Sequence, residues 1–262
     1  MKFSIYKYQG TGNDFVILDN RKKEFPLDKK LIQNICSRRF GIGADGLMLL
    51  ENDEKTDFYM YYFNSDGNES SMCGNGGRCL VRFAHDLKII SKNTSFNAID
   101  GLHTATVFPD KIALGMADVE KVAVYDQYYF LDTGSPHHVE FVEDIKNFDV
   151  FTHGKQIRNS TSYFEKGTNV NFAEKIADNT LFVRTYERGV EDETFSCGTG
   201  VTASAIASYK KGITENRVFI NTLGGKLEVQ FQEKNDTFTN VILTGSAQFV
   251  FKGEINTYDF DF

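Results

Sequence analysis

Two short motifs place a cysteine directly before a Gly-x-Gly segment at the predicted start of a helix. They run from Cys73 to Gly76 (Cys-Gly-Asn-Gly) and from Cys197 to Gly200 (Cys-Gly-Thr-Gly). Unsatisfied backbone N–H groups and the positive end of the helix dipole favour a thiolate at such a position, so the pKa of each cysteine is expected below that of an ordinary thiol. The same N–H groups can hold a carboxylate. The combination predicts proton removal from, and return to, a carbon beside a carboxylate, without a cofactor.

The two motifs belong to an internal repeat. Their cysteines are 124 positions apart (197 minus 73), and a second pair of similar segments, residues 11–16 and 133–139, has an offset of 122 (133 minus 11). A period of this length indicates duplicated domains rather than a solenoid. We therefore expect each half to contribute one thiol, on opposite sides of one substrate.

Strand-like segments dominate both halves. Residues 58–63 and 181–186 are rich in aromatic and β-branched residues, and each segment precedes a Cys-Gly motif. Further strands are predicted at 104–108, 111–114, 226–231 and 239–244, and helices at 28–37, 77–87 and 200–211. The pattern predicts an α+β fold of two mostly β halves, each with an apolar helix that is buried nearly all round.

The division between the halves is expected near residues 115–120. We place the first half at residues 1–116 and the second at 117–245, and we expect residues 246–262 to pack back on the first half. The active site is predicted in the cleft between them, where both Cys-Gly motifs can reach the substrate.

Composition excludes several classes of protein. The net charge of -7 and the pI of about 5.3 argue against a nucleic-acid surface, which needs clustered Lys and Arg. No apolar run is long enough for a membrane span, and the first residues lack the apolar segment of a signal peptide, so a cytoplasmic protein is expected. The four cysteines lack the close pairs of a zinc site, and we predict free thiols and no metal.

The chain resembles the diaminopimelate epimerase family. Besides the two Cys-Gly motifs, the resemblance rests on segments that follow one another in the family's order, namely residues 12–16 (Gly-Asn-Asp-Phe-Val), 43–46 (Gly-Ala-Asp-Gly), 63–67 (Phe-Asn-Ser-Asp-Gly), 169–172 (Asn-Val-Asn-Phe) and 186–189 (Tyr-Glu-Arg-Gly). It implies two pseudo-symmetric halves, each a mixed β-barrel-like sheet around a central helix. It also implies epimerisation of LL-diaminopimelate to meso-diaminopimelate in lysine and cell-wall precursor synthesis, without a cofactor and in a homodimer.

The resemblance also implies roles for individual residues. Cys73 and Cys197 correspond to the two acid/base thiols, while His137 and Glu187 correspond to groups that tune thiol protonation. The remaining residues correspond to groups that hold the substrate, with Arg188 suited to its remote carboxylate: Asn13, Asn64, Gly74, Asn75, Ser135, Asn169, Glu187, Arg188, Gly198 and Thr199.

Two positions depart from the family pattern. Ser135 stands where the family usually has Asn, and Gly46 stands where many members have Gln. Each replacement removes a side-chain amide next to the predicted site, without touching the two cysteines.

Other interpretations remain open at this stage. The nearest rival is an epimerase of the proline or hydroxyproline type, which has the same two-thiol logic but no need for a second carboxylate site. A non-catalytic binding module on the same fold is a further alternative, although the presence of both cysteines argues against it. Cys36 and Cys79 are expected to be buried and structural. A metal site at His137 and His138 is disfavoured, because no further ligand lies nearby in the sequence.

Overall fold

The computed structural model describes residues 1–163 and 166–260. The chain divides into two compact units, one formed by Met1–Leu114 with Ser246–Phe262 and the other by Gly115–Gly245. We call them the first unit and the second unit.

Seventeen strands and four helices make up the described part of the chain. The strands are β1 Lys2–Gly10, β2 Asn13–Asp19, β3 Gly46–Glu51, β4 Phe58–Asn64, β5 Asn93–Ala98, β6 Gly101–Val107, β7 Ile112–Gly115, β8 Val122–Val124, β9 Tyr128–Asp132, β10 Pro136–Phe141, β11 Asn169–Ala177, β12 Thr180–Glu187, β13 Asp192–Thr194, β14 Arg217–Thr222, β15 Gly225–Lys234, β16 Thr237–Gly245 and β17 Gln248–Asn256. The helices are α1 Lys29–Cys36, α2 Gly74–Asp86, α3 Val150–Arg158 and α4 Gly198–Lys210, and a 3-10 turn follows at Thr257–Phe260.

The two units repeat one sequence of strand pairings. In the first unit the strands follow one another as β17, β1, β2, β3, β4, β5, β6 and β7, with parallel pairs at β2/β3 and β4/β5 and antiparallel pairs elsewhere. In the second unit the order is β8, β9, β10, β11, β12, β14, β15 and β16, with parallel pairs at β10/β11 and β12/β14. The short strand β13 adds to β12. The predicted α+β fold with two repeated halves is confirmed.

The helices occupy equivalent places because parallel neighbours need a crossover connection. Helices α1 and α3 connect the first parallel pair of their units, and α2 and α4 connect the second. Helix α3 was missing from the sequence prediction. Only Val150 and Gly154 of α3 are buried, so its apolar pattern is too sparse to indicate a helix. The absent side chain of Gly154 lets the helix lie against Tyr186 of β12.

The central helices α2 and α4 are largely buried. All residues from Val201 to Ser208 are buried, as expected for a helix without a polar face. Both helices begin slightly earlier than predicted, at Gly74 and Gly198, because the weak helix-forming residues after each cysteine already join the first turn. Among the described residues, no helix has the length and apolar character to span a membrane.

Candidate active site

Cys73 and Cys197 occupy the same position in their units. Each is the N-cap residue of the central helix, with extended backbone angles. Gly77 N–H donates to the carbonyl of Cys73 at 2.7 Å, and Val201 N–H donates to the carbonyl of Cys197 at 2.9 Å. The first-turn N–H groups therefore project from the helix start around each thiol. This is the arrangement that the two motifs predicted.

In the first unit, Asn13 contacts the thiol. Its Oδ1 accepts hydrogen bonds from Cys73 Sγ at 3.7 Å and from Asn75 Nδ2 at 3.3 Å, and its Nδ2 donates to Asp45. Asn13 begins β2 immediately after the tight turn at Thr11 and Gly12, whose φ angles of 51° and 84° are left-handed. The hairpin turn thus places Asn13 next to the start of α2.

Arg78 is a component of this network that the sequence did not single out, although it lies within the first motif. The side chain is completely buried. Its guanidinium donates to Gly74 O at 3.0 Å, to Asn75 Oδ1 at 2.9 Å and to Thr11 Oγ1 at 3.2 Å. A buried charge requires such hydrogen bonds. Arginine can only donate hydrogen bonds, so the carboxamide oxygen of Asn75 faces Arg78. The Nδ2 atom of Asn75 then faces Asn13.

A cluster of charged side chains lies next to Asn13 in the first unit. Arg38 pairs with Asp14 at 2.7 Å and with Asp45 at 2.6 Å, and Lys7 pairs with Asp14 at 2.7 Å. Burial opposes ionisation of Asp14, but the hydrogen bonds and charges of Arg38 and Lys7 outweigh it and lower the pKa of Asp14 to about 2. The Asp45 carboxylate is thereby held where it receives Asn13 Nδ2.

In the second unit, threonines take the corresponding places. Thr199 Oγ1 lies 3.4 Å from Cys197 Sγ, and Thr133 Oγ1 donates to Thr199 O at 3.0 Å. Thr133 precedes Gly134 in a turn that corresponds in the repeat to Thr11 and Gly12. The thiol of Cys197 is nearly buried, with 7% of the residue exposed, whereas Cys73 is half-buried.

His137 and Glu187 lie in the second unit, at the start of β10 and at the end of β12, the two strands that pair with β11. His137 is fully buried at the start of β10, and Asn171 Nδ2 lies 3.0 Å from its Nδ1 atom. Burial, with a smaller contribution from the positive charge of Arg188, lowers the pKa of His137 to about 3. Glu187 at the end of β12 accepts a hydrogen bond from Thr194 Oγ1 at 2.9 Å.

Ser135, Asn169 and Arg188 form a polar cluster in the second unit. Ser135 Oγ accepts from Asn169 Nδ2 at 3.0 Å and from Arg188 Nη2 at 3.3 Å. Arg188 also donates from Nη1 to Lys166 O at 3.0 Å, and its side chain is exposed. The cluster presents a guanidinium, a hydroxyl and an amide together, which suits an amino-acid head group.

Comparison with known proteins identifies the family. A family model described as diaminopimelate epimerase matches residues 5–122 and 129–250. A protein named diaminopimelate epimerase from Flavobacterium psychrophilum is 58% identical over 254 residues, which are 96% of this chain and 99% of that protein. The chain belongs to the diaminopimelate epimerase family. The resemblance inferred from the motifs is confirmed.

Solved structures of other proteins share the fold of this diaminopimelate epimerase family member. A Bacillus anthracis phenazine biosynthesis protein of the PhzF family has a TM-score of 0.78 at 11% identity, covering 98% of this chain and 99% of that one. A hydroxyproline epimerase from Agrobacterium vitis, with bound trans-4-hydroxy-L-proline, has a TM-score of 0.70 at 12% identity, covering 97% and 92%. At such identities the similarity concerns the fold alone.

The departure from the family pattern at residue 46 has a local cause. Gly46 is buried at the start of β3 and pairs with Asn64 at the end of β4. A Cβ atom at Gly46 would lie 2.6 Å from Cε2 and 3.2 Å from the hydroxyl oxygen of Tyr62. The Tyr62 ring and the carbonyl oxygen of Phe63, at 2.5 Å, therefore occupy the space that a side chain at residue 46 would need.

The remaining two cysteines are buried in the first unit. Cys36 is buried at the end of α1, and Cys79 is buried in α2. Burial raises the pKa of each of these thiols to about 12. Both are structural members of the core, as predicted.

In residues 1–163 and 166–260, no three His, Cys, Asp or Glu side chains are placed to hold a metal ion together. His138, the neighbour of His137, is buried and lies 3.0 Å from Tyr163 Oη and 2.8 Å from Glu140 Oε1. It is therefore engaged within the core.

Proposed function

We propose that the protein interconverts LL-diaminopimelate and meso-diaminopimelate, with Cys73 and Cys197 as the two acid/base groups. The observation that carries the proposal is the equivalent placement of the two thiols, each at the N-cap of the central helix of a repeated unit. Membership of the diaminopimelate epimerase family supports the choice of substrate.

Inversion at an α-carbon needs a base on one face and an acid on the other. In the proposed reaction one thiolate removes the α-proton while the opposing thiol returns a proton from the other side. Both groups then exchange protonation states, so the enzyme serves the reverse direction as well. A protein with only one such group has no means of delivering the proton to the second face.

The negative charge that develops on the substrate needs stabilisation during this exchange. In the proposal the reacting carboxylate binds to the backbone N–H groups of Gly74, Asn75, Gly198 and Thr199 at the starts of the two helices. Preorganised N–H donors and the helix dipole favour the electron-rich carboxylate of the intermediate. The reaction therefore proceeds without pyridoxal phosphate or a metal ion.

The remote amino-acid head of the substrate requires its own contacts. We assign Arg188 to its carboxylate, with Ser135 and Asn169 beside it, because these three side chains already form one cluster. We also assign Asn13 and Asn64 to substrate binding. His137 and Glu187 are proposed to tune thiol protonation from the second unit.

The family resemblance supports further proposals about the protein in the cell. They are a cytoplasmic location, a homodimeric state and a step in lysine and cell-wall precursor synthesis. Size-exclusion chromatography with light scattering tests the homodimer: a mass of about one chain at working concentrations contradicts it.

The test of the activity is a comparison of substrates. Purified protein is incubated with LL-diaminopimelate, L-lysine and trans-4-hydroxy-L-proline, and the stereoisomers are separated by chiral chromatography. We expect rapid formation of meso-diaminopimelate and negligible inversion of the other two. Rapid inversion of hydroxyproline, unchanged by Arg188→Met, would transfer the protein to the rival class of epimerase.

A further inference from the structure

Asn171 is a buried polar residue to which the proposed reaction assigns no role. It lies in β11, is completely buried, and faces the first turn of α4. A Cβ atom at Gly200 would overlap Asn171 Oδ1, and it would lie 3.3 Å from Cys197 Cβ. The carboxamide of Asn171 therefore fills the space beneath the helix start that carries Cys197.

The orientation of this carboxamide follows from its neighbours. Asn171 Nδ2 lies 3.1 Å from the carbonyl oxygen of His138, which can only accept a hydrogen bond. Thr185 Oγ1 donates to Asn171 Oδ1 at 2.9 Å from the adjacent strand. The amide nitrogen must therefore face the β10 backbone, and the oxygen must face Thr185.

The orientation determines the tautomer of His137. The Nδ1 atom of His137 lies 3.0 Å from Asn171 Nδ2, which is a donor, so Nδ1 must act as an acceptor. The ring proton then resides on Nε2. Because burial and Arg188 lower the pKa of His137 to about 3, the ring is neutral in the physiological range.

The proton on Nε2 has no acceptor within the described part of the chain. His137 Nε2 is buried and makes no hydrogen bond to the described residues. A buried donor without an acceptor loses its hydrogen bonds to water without replacement, so such groups are rare and call for an explanation. In an epimerase the reaction itself supplies anionic acceptors, namely a cysteine thiolate and the carboxylate of the substrate.

We propose that Asn171 is a positioning residue that holds His137 as its neutral Nε2–H tautomer and so makes it a hydrogen-bond donor to an anion of the reaction. The tautomer follows from the geometry alone, whereas the anion rests on the proposed function. His137 does not act as a general base through Nδ1, because Asn171 occupies that lone pair. It stabilises the negative charge of that anion without becoming positively charged itself.

The tautomer is measured directly by NMR on the full-length chain. Protein labelled with 15N at its histidines is examined near neutral pH by long-range 15N–1H correlation, and His137→Gln assigns the signal. We expect the wild type to show a protonated Nε2 and an unprotonated Nδ1. A protonated Nδ1, or a doubly protonated ring, at His137 in the wild type overturns the inference whether or not variants of Asn171 and Thr185 fold.

Two substitutions test the part played by Asn171. Asn171→Asp replaces the donor facing Nδ1 with an acceptor, so the tautomer should invert or the ring should become charged. Thr185→Val is the matched control, because it removes a hydrogen bond to the same carboxamide without changing which atom faces His137. An unchanged tautomer in Asn171→Asp contradicts the inference, as does an altered tautomer in Thr185→Val.

Kinetics and ligand addition test the donor role. We expect Asn171→Asp to lower kcat by about tenfold or more with a smaller change in KM, an effect of the size seen when the outer hydrogen-bond partner of a metal-bound histidine is removed. The Nε2–H proton resonance should move on Cys197→Ala if the thiolate is its acceptor, and on substrate addition if the carboxylate is. A resonance that neither change moves overturns the donor role. The expected tautomer in a protein that leaves LL-diaminopimelate unchanged contradicts the proposed function alone.

Discussion

The side-chain oxygen of Asn169 accepts a hydrogen bond from the backbone N–H of Arg188 at 2.9 Å. The Nδ2 atom of the same carboxamide donates to Ser135 Oγ at 3.0 Å and to Pro136 O at 3.2 Å. Asn169 thus joins the end of β12 to the start of β10. It holds the proposed recognition group for the remote carboxylate in a defined place before substrate arrives.

Replacement of Arg188 by Met should impair catalysis as well as binding. The substrate carboxylate loses its paired cation, which we expect to lower kcat/KM by the equivalent of about 2 kcal/mol or more. Part of the loss should appear in kcat, because binding energy from the remote head also positions the reacting carbon. Steady-state kinetics with LL-diaminopimelate measure both kcat and kcat/KM. A variant with wild-type kcat/KM contradicts the assignment of Arg188 to the remote carboxylate.

Substitutions of Ser135, which stands where the family usually has Asn, should differ in how strongly they weaken substrate binding. Ser135→Ala removes an acceptor for two donors, so KM should rise by up to about tenfold, since a hydrogen bond contributes about 0.5–1.5 kcal/mol. Ser135→Asn keeps an acceptor at this position and restores the usual family residue, so it should have a smaller effect. Kinetics that rank the Asn variant below the Ala variant would contradict this prediction.

The four thiols should differ in reactivity. Brief treatment with iodoacetamide near pH 8 should modify Cys73 first and Cys197 more slowly, because helix N-termini favour thiolates and Cys73 is the more accessible. Cys36 and Cys79 should remain unmodified, since burial raises the pKa of each to about 12. Peptide mass spectrometry gives the sites. Protein unfolded in guanidinium is the control, and equal labelling of Cys79 and Cys73 in folded protein contradicts the prediction.

His137 should make the protein less stable in acid. Its pKa is about 3 when folded and about 6.5 when unfolded, so the unfolded chain binds a proton first as the pH falls. The contribution of neutral His137 to the free energy of unfolding is fully present above about pH 6.5. It declines by about 1.4 kcal/mol per pH unit as the pH falls toward about 3. Urea unfolding of wild type and His137→Gln should show the variant gaining about 2 kcal/mol relative to wild type between pH 7 and pH 5. The exposed His153→Gln is the control, and an equal pH dependence of wild type and His137→Gln contradicts this account.

The repeat and the starts of the central helices could be predicted because each depends on a short sequence motif, and the motif occurs once in each half. The Cys-Gly motifs place Cys73 and Cys197 within four residues of the predicted start of a central helix, and their common offset predicts the duplication of the fold. Helix α3 is the equivalent of α1 in the repeat, so the duplication itself contained the signal that its sparse apolar pattern lacked.

The supporting polar network could not be predicted in the same way. The roles of Arg78 and Asn171 depend on which strand or turn each side chain meets, and hydrogen-bond partners far apart in sequence leave no periodic pattern. Asn171 contacts His137 because β10 and β11 are parallel neighbours in one particular register. Buried polar residues at predicted strand ends are the available signal for such contacts.

The most direct test of the two-thiol mechanism is the position of deuterium after reaction in deuterated water. LL-diaminopimelate is incubated with wild type, Cys73→Ala and Cys197→Ala, and recovered substrate and product are analysed by mass spectrometry and NMR at early times. The account predicts that wild type places deuterium at the inverted carbon of meso-diaminopimelate before it appears in residual substrate, and that neither variant inverts the substrate. Normal inversion by Cys197→Ala, or transfer of the original hydrogen to the opposite face, would contradict it.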